Sequence, residues 1–325
     1  MRGDATIAPA RDARTNRGAS RDLKGGTAVS PRAARPAPAL RSAEDIEGIR
    51  AAGAIVAGAL DAARAACTEG ASTAAIDRAV HAWILAAGAE PVFLGYRGSC
   101  EGQGGARPPF PAASCISVNE ELVHGVPGAR ALMRGDVVSI DAGVRSAGWC
   151  ADSAITVCVG DADATTSRMV AVAERMLDEA IARIRPGVRW SSIAEAMESL
   201  STDSGFAVAV DFVGHGIGRD LHEPPQVPCS LYSSFLEHGD FTLRPGMVLA
   251  IEPMIVDERP VRNDRGELRN PRVTLAADGW TVVLDSGARS CHVEHTVAVT
   301  RDGADILSAF PRIHPHPARD ARIAC

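Results

Sequence analysis

Four acidic residues stand in stretches otherwise built from apolar and small side chains. Asp141 and Asp152 lie in GDVVSIDAGVRSAGWCADSAITVCV (135–159), Glu252 in VLAIEPM (248–254) and Glu294 in CHVEHTVAVT (291–300). An ionised carboxylate is costly in such surroundings unless a cation meets it. The first stretch reads as a hairpin. With residues 145–148 as its turn, Asp141 falls directly opposite Asp152, where Cβ atoms are about 4.5–5.5 Å apart. Two carboxylates that close repel, so one takes a proton or a cation sits between them. A register slip that sends one of them to solvent is the bland alternative. The hairpin alone does not decide between the two.

The other acids shift the balance, because four carboxylates in apolar strands are poor candidates for solvated-face charges. A divalent metal is the simplest explanation, and four carboxylates suggest two ions. Oxygen ligands with one imidazole suit Mn, Fe(II), Co or Zn rather than a closed cysteine-type zinc site. The imidazole candidates are His124, His215 and His222. Glycines flank His215 in GHGIGRDLHEPP (214–225), which lets the backbone approach closely there. His222 and Glu223 do not open an HExxH zinc motif: position 226 is Gln, and Pro224 and Pro225 break a helix. The glycines of that stretch are no dinucleotide fingerprint either, since no acid-tipped βαβ unit surrounds them. A lone histidine is usually structural; three beside glycine turns and buried acids favour function.

The elements that must hold these residues occur twice. Gly70, Ile76 and Gly88 recur 117 residues on as Gly187, Ile193 and Gly205. Each of these stretches reads as a helix, residues 72–87 in the first copy, and each follows an amphipathic helix, over 43–66 and about 166–184. The first of those helices opens on Ser42, an N-cap with acids in its first turn. RGDVVSIDAG (134–143) matches PGMVLAIEPM (245–254) at an offset of 111 residues, which sets Glu252 in the place of Asp141. A His-Gly pair precedes each: His124 with Gly125, and His215 with Gly216. Two copies are too few for a solenoid. Helix pairs followed by strands predict an α+β domain whose halves form a cleft around a mainly antiparallel sheet.

Composition bounds the rest. The 325 residues show no apolar run near the roughly 20 that a membrane span needs, and no secretory leader is read at the start. The eight cysteines form no CxxC pair, so reduced thiols in a cytoplasm are expected. Residues 1–42 hold nine basic residues against three aspartates, a net of +6, while the chain carries −6 and the remainder therefore −12. This Arg/Ala/Pro-rich stretch reads as a disordered arm. A passive linker is the favoured role; the others are a polyproline recognition segment over Pro31 to Pro38 and a ribosome contact through its charge, though no aromatic is interleaved to stack on bases.

The order of Asp141, Asp152, GHGIGRDLHEPP, IEPM and VEHT resembles the pita-bread metallopeptidases, and SVNEELVHGVPG (117–128) resembles their type I methionine aminopeptidases. The likeness spans nearly all of residues 43–310. It implies the pita-bread fold over residues 43–312, with helices on the outer face and a flexible tail over 313–325. It implies metal ligands at Asp141, Asp152, His215, Glu252 and Glu294, with Asp152 and Glu294 shared by two divalent ions (Co, Mn, Fe(II) or Zn). It implies catalytic roles for His124, His222 and Glu252, and a methionine pocket lined by Tyr96, Phe110, Cys115 and Trp280 beside the same two histidines. The implied reaction is removal of initiator methionine from nascent proteins and peptides with a small second residue, by a metal-activated hydroxide. The implied enzyme is a cytoplasmic monomer that needs neither DNA nor membrane.

The chain departs from that family at Arg97, at about ten extra residues before Phe110, at Leu221, and in longer loops over 227–241 and 257–274. These departures bear on substrate scope. An Xaa-Pro aminopeptidase of the same fold usually carries a further domain in front, which 42 low-complexity residues do not supply. A non-catalytic binding module on this fold would have lost ligands, and all five positions are intact. A specialised second copy with the same activity stays open.

Overall fold

Ser42 starts the first helix through a capping box: its hydroxyl accepts from the Asp45 amide at 3.1 Å, and the Asp45 carboxylate accepts from the Ser42 amide at 3.0 Å. Two orphan amides are satisfied reciprocally, and helix α1 (Ala43–Ala66) buries Ile49, Val56 and Leu60 on one face. Helix α2 (Thr73–Ala86) follows, then α3 (Ala164–Arg183), capped by Asp163, and α4 (Trp190–Asp203). The computed structural model describes residues 37–98 and 107–309. The arm up to residue 36, much of the insertion before Phe110 and the tail therefore lie outside the described residues.

The duplication predicted from sequence is present in the backbone. Helices α2 and α4 are both 14 residues long and begin 117 positions apart, at 73 and 190. Both lie between glycines with positive φ, Gly70 (82°) and Gly88 (69°) in one copy, Gly187 (88°) and Gly205 (84°) in the other. The strand offset of 111 also holds: Gly135 (φ 92°) precedes one strand and Gly246 (φ 90°) the other. Even the isolated bridges repeat, Ser72 with Ala131 and Arg189 with Thr242.

Each half has its own core. Ile49, Val56, Leu60, Ile76 and Val80 pack on Ile116, Ile140 and Val144 in the first. In the second, Met169, Met176, Trp190 and Ile193 pack on Leu249, Ile251 and Val297. Among the described residues all strand pairs are antiparallel and group into four sheets. Two of these carry the chemistry. In one, strand Val137–Ser146 pairs with Trp149–Cys158 along its whole length and with Ser114–Val118 on its other edge. In the other, Val248–Ile251 lies between Gly214–Gly216 and His295–Val299. A bridge between Ala154 and Glu294 links them.

The hairpin differs from the sequence expectation in register. Its turn is the two residues Ala147 (φ 48°) and Gly148 (φ 80°), so Ser146 pairs with Trp149, Gly143 with Asp152, and Asp141 with Ala154. Two positive-φ residues make the tight turn whose twist suits a hairpin. Asp141 and Asp152 are thus diagonal rather than directly opposed. The slip is two residues, which preserves the face.

Among the described residues no helix is long and apolar enough to cross a membrane. The six described cysteines form no disulfide.

Candidate metal centre

The pairings bring four acids from both halves to one place. Asp141 and Glu294 both pair with Ala154, so their side chains share a sheet face, with Asp152 two residues along on the same face. Strand pairing of His295 with Ile251 sets Glu294 and Glu252 at the same end of their two strands. Asp152 is 4% exposed and Glu294 1%. The backbone around them is pinned: the Asp152 amide donates to Thr296 Oγ1 at 3.0 Å, and that hydroxyl donates back to the Asp152 carbonyl at 2.7 Å.

His215 enters from the second half. Its Nδ1 lies 2.9 Å from the Gly216 carbonyl. A carbonyl only accepts, so Nδ1 carries the proton and Nε2 turns its lone pair into the cluster. That Nε2 is 3.3 Å from Glu252 Oε1 and 3.9 Å from Asp152 Oδ2. The first distance would allow a hydrogen bond, yet Glu252 Oε1 has no aligned partner. The flanking glycines explain the tight approach. A Cβ at Gly214 would lie 2.3 Å from the Ala250 carbonyl oxygen, and one at Gly216 would lie 2.2 Å from that of Pro224.

The electrostatics follow from burial. Asp141 is pushed up to about 7 by loss of solvent. Asp152, Glu252 and Glu294 are raised well above the ordinary carboxylate range, first by burial and then by the charges of neighbouring acids, Asp141 among them in each case. His215 is pushed down to about 3, by burial and by His222. Asp141 Oδ1, Glu252 Oε1 and Glu294 Oε1 are buried with no hydrogen-bond partner. Each such group costs about 1–3 kcal/mol, more when charged. The ligand atoms of Asp152, His215 and Glu294 all lie within 4.8 Å of one another, and so do those of Glu252, His292 and Glu294. Hard oxygens and an imidazole, aimed at common points and satisfied by nothing in the protein, fit a divalent cation. Asp141 stands outside both triads but meets the carboxyl of Asp152.

Beside the acids lies an aromatic recess. Cys115 pairs with Asp141 across the sheet. The rings of Phe110 and Trp280 meet edge to face at 5.3 Å, and Tyr96 lies 6.4 Å from Trp280. His124 sits 6.3 Å from Trp280 and holds a positive φ of 58°, a conformation that costs a non-glycine residue energy and clusters at functional sites. Burial, Arg107 and His222 lower His124 to about 4. Burial lowers His222 as well. Its ring lies 4.3 Å from that of His215, and Tyr96 Oη is 2.7 Å from His222 Nδ1. All the residues singled out from the sequence thus converge.

Two neighbours were not foreseen. Phe212 places its ring 6.3 Å from His124, and nothing in its sequence surroundings marks it. His292 stands two residues before Glu294, and that spacing was a usable signal. Of the departures, Arg97 is exposed, Leu221 is buried, and the insertion returns to the recess at Arg107, whose guanidinium lies 4.8 Å from the Trp280 ring centre. The two longer loops brace each other, the Ser233 amide donating to Glu267 at 2.8 Å.

The chain resembles known proteins along most of its length. Methionine aminopeptidase 1 of Bacillus subtilis is 38% identical over 260 residues, covering 80% of this chain and 94% of the relative. The crystal structure of the methionine aminopeptidase from Thermotoga maritima superposes with a TM-score of 0.72 at 35% identity, covering 84% of this chain and 99% of that one. A prolidase from Pyrococcus furiosus, 21% identical with a TM-score of 0.62 over 84% of this chain and 66% of its own, shares the fold. The sequence pattern of metallopeptidase family M24 matches residues 47–301. This chain belongs to metallopeptidase family M24.

Proposed function

We propose that the chain is an aminopeptidase that removes N-terminal methionine when the second residue is small, with two divalent ions held by Asp141, Asp152, His215, Glu252 and Glu294. The observation that carries this reading is the set of buried, partnerless carboxyl oxygens contributed by both halves. The relatives named methionine aminopeptidase match along nearly their whole length and supply the reaction. When bound, such ions polarise a scissile carbonyl and make water nucleophilic near neutral pH.

The chain's own groups do the remainder. Glu252, buried beside His215, accepts the proton of the attacking water and passes it to the leaving amine. His124 and His222 are kept neutral by burial, so each offers an N–H to the substrate amide or its developing oxyanion without adding a charge. Tyr96, Phe110, Cys115 and Trp280 take the methionine side chain, whose sulfur is favoured against ring edges. The acid cluster receives the free α-amine, which ties cleavage to the first residue.

A peptide panel tests the reading. With Mn or Co added, free methionine is released from Met-Gly and Met-Ala peptides, and at least about tenfold more slowly from Met-Leu, a loss near 1.4 kcal/mol. Cleavage of Xaa-Pro peptides with Met-Ala left intact would refute it. Tyr96 also gives a smaller expectation. Tyr96→Phe keeps the ring and removes the 2.7 Å bond to His222. One such bond is worth about 0.5–1.5 kcal/mol, so kcat on Met-Ala-Ser falls about 3–10-fold with little change in KM. An unchanged kcat would show that Tyr96 does not position His222.

A further inference from the structure

The five residues assigned above leave His292 unused. Its side chain points into the centre from the last position of strand Ser290–His292, and the residue is 4% exposed. The backbone there is held firmly. The His292 amide donates to Ser139 Oγ and Thr156 Oγ1, each at 3.1 Å, and the Thr156 hydroxyl donates to the His292 carbonyl at 2.7 Å. Across the pair, His292 faces Met254, two residues after Glu252.

A histidine buried for structural reasons has its nitrogens satisfied. His292 Nε2 is buried and has no hydrogen-bond partner. Its neighbour is Glu252 Oε2 at 3.9 Å. That separation exceeds hydrogen-bond reach. It stays within the reach of two atoms that share one ion through bonds of about 2.0–2.2 Å, which span at most about 4.4 Å. Glu294 completes the group, with all three ligand atoms within 4.8 Å of one another. The arrangement parallels that of Asp152, His215 and Glu294: each triad has one imidazole, and Glu294 belongs to both.

We infer that His292 is a sixth ligand, a second imidazole on the Glu252–Glu294 side of the metal centre. The inference rests on the metal centre proposed above. Its consequence is a shift in metal preference. Carboxylates alone suit Mn, whereas added imidazole favours Co, Zn and Fe(II). The centre therefore discriminates against Mn more than a one-imidazole site would.

Proton NMR of the Co(II)-loaded full chain tests this directly, because each cobalt-bound imidazole gives one hyperfine-shifted, solvent-exchangeable N–H signal. Two are expected, from His215 and His292, and His292→Gln removes one of them. In competition titrations, His292→Gln should lower the ratio of Co to Mn affinity at least about tenfold, the lower end of what a lost partner near a metal costs. One shifted N–H in cobalt-loaded wild type, unaltered in His292→Gln, would overturn this inference and leave the five-ligand centre standing. Failure of the wild-type chain to take up Co(II), Mn or Zn would overturn the centre and this inference together. The wild-type spectrum decides the matter even if the variant fails to fold.

Discussion

Asp152→Asn should lower kcat/KM on Met-Ala-Ser at least about 1,000-fold, a loss of roughly 4 kcal/mol of transition-state stabilisation, and should strip most of the bound metal. Asp152 occupies the middle of the cluster. It meets the carboxyl of Asp141, lies 3.9 Å from His215 Nε2 and shares a triad with Glu294. Asparagine preserves its shape and its place in the sheet but removes the charge that an ion between the halves requires. A folding defect is not expected, because the Thr296 hydroxyl bonds the backbone of Asp152 and not its carboxyl. Metal analysis beside the kinetics checks the cause. A variant with full metal and full activity would remove Asp152 from the ligand set.

The second large effect concerns the metal-free protein, whose stability should fall as pH rises from about 5 to above 7. The folded carboxyls hold protons that the unfolded chain gives up near its ordinary values of 3.8 for Asp and 4.5 for Glu. A raised folded value means that stability is fully present below the unfolded value and is lost as pH climbs through the folded one. For Asp141, raised to about 7, the loss is about 4 kcal/mol in all at 1.36 kcal/mol per unit, about 3 kcal/mol of it above pH 5. In a chain of this size that corresponds to a fall in Tm on the order of 10 °C. Asp152, Glu252 and Glu294 act in the same direction at still higher pH. Below about pH 4 the opposite group takes over, since Asp163 and Glu267 are held down to about 2 by their hydrogen bonds and lose that stabilisation on protonation. Thermal melts of chelator-stripped protein across pH 5–8.5 check this. Asp152→Asn should melt higher than the stripped parent at pH 8, and added metal should flatten the pH dependence. A stripped protein that gains stability toward pH 8 would contradict the origin given for these shifts. Burial of mutually repelling acids is a cost accepted for metal binding, and removing one of them relieves it.

The duplication could be read without coordinates because local chemistry enforces it. Glycines at 70, 88, 187 and 205 adopt positive φ, and the apolar spacing between them gives helices of equal length. The acids were legible for a related reason: a carboxylate in an apolar strand is conspicuous whatever the fold. The hairpin register was not legible. It depends on Ala147 adopting a left-handed conformation, which sequence disfavours in a non-glycine residue, and only the parity of the two strands protected the inference that both acids share a face. His292 was marked locally only by its spacing of two residues from Glu294. Its significance lies in an unpartnered nitrogen 3.9 Å from Glu252, 40 positions earlier in the chain (252 to 292), and no local pattern encodes that distance. The positive φ of His124 and the ring of Phe212 against it depend on packing in the same way.

The central claim is that metal held by these acids drives removal of N-terminal methionine. It is tested most directly by following methionine release from Met-Ala-Ser as chelator-stripped protein is titrated with Co or Mn. Release should rise from a negligible baseline, saturate by two equivalents of ion, and stay at baseline in Asp141→Asn. Full release by the stripped protein, or a titration that Asp141→Asn leaves unchanged, would contradict it.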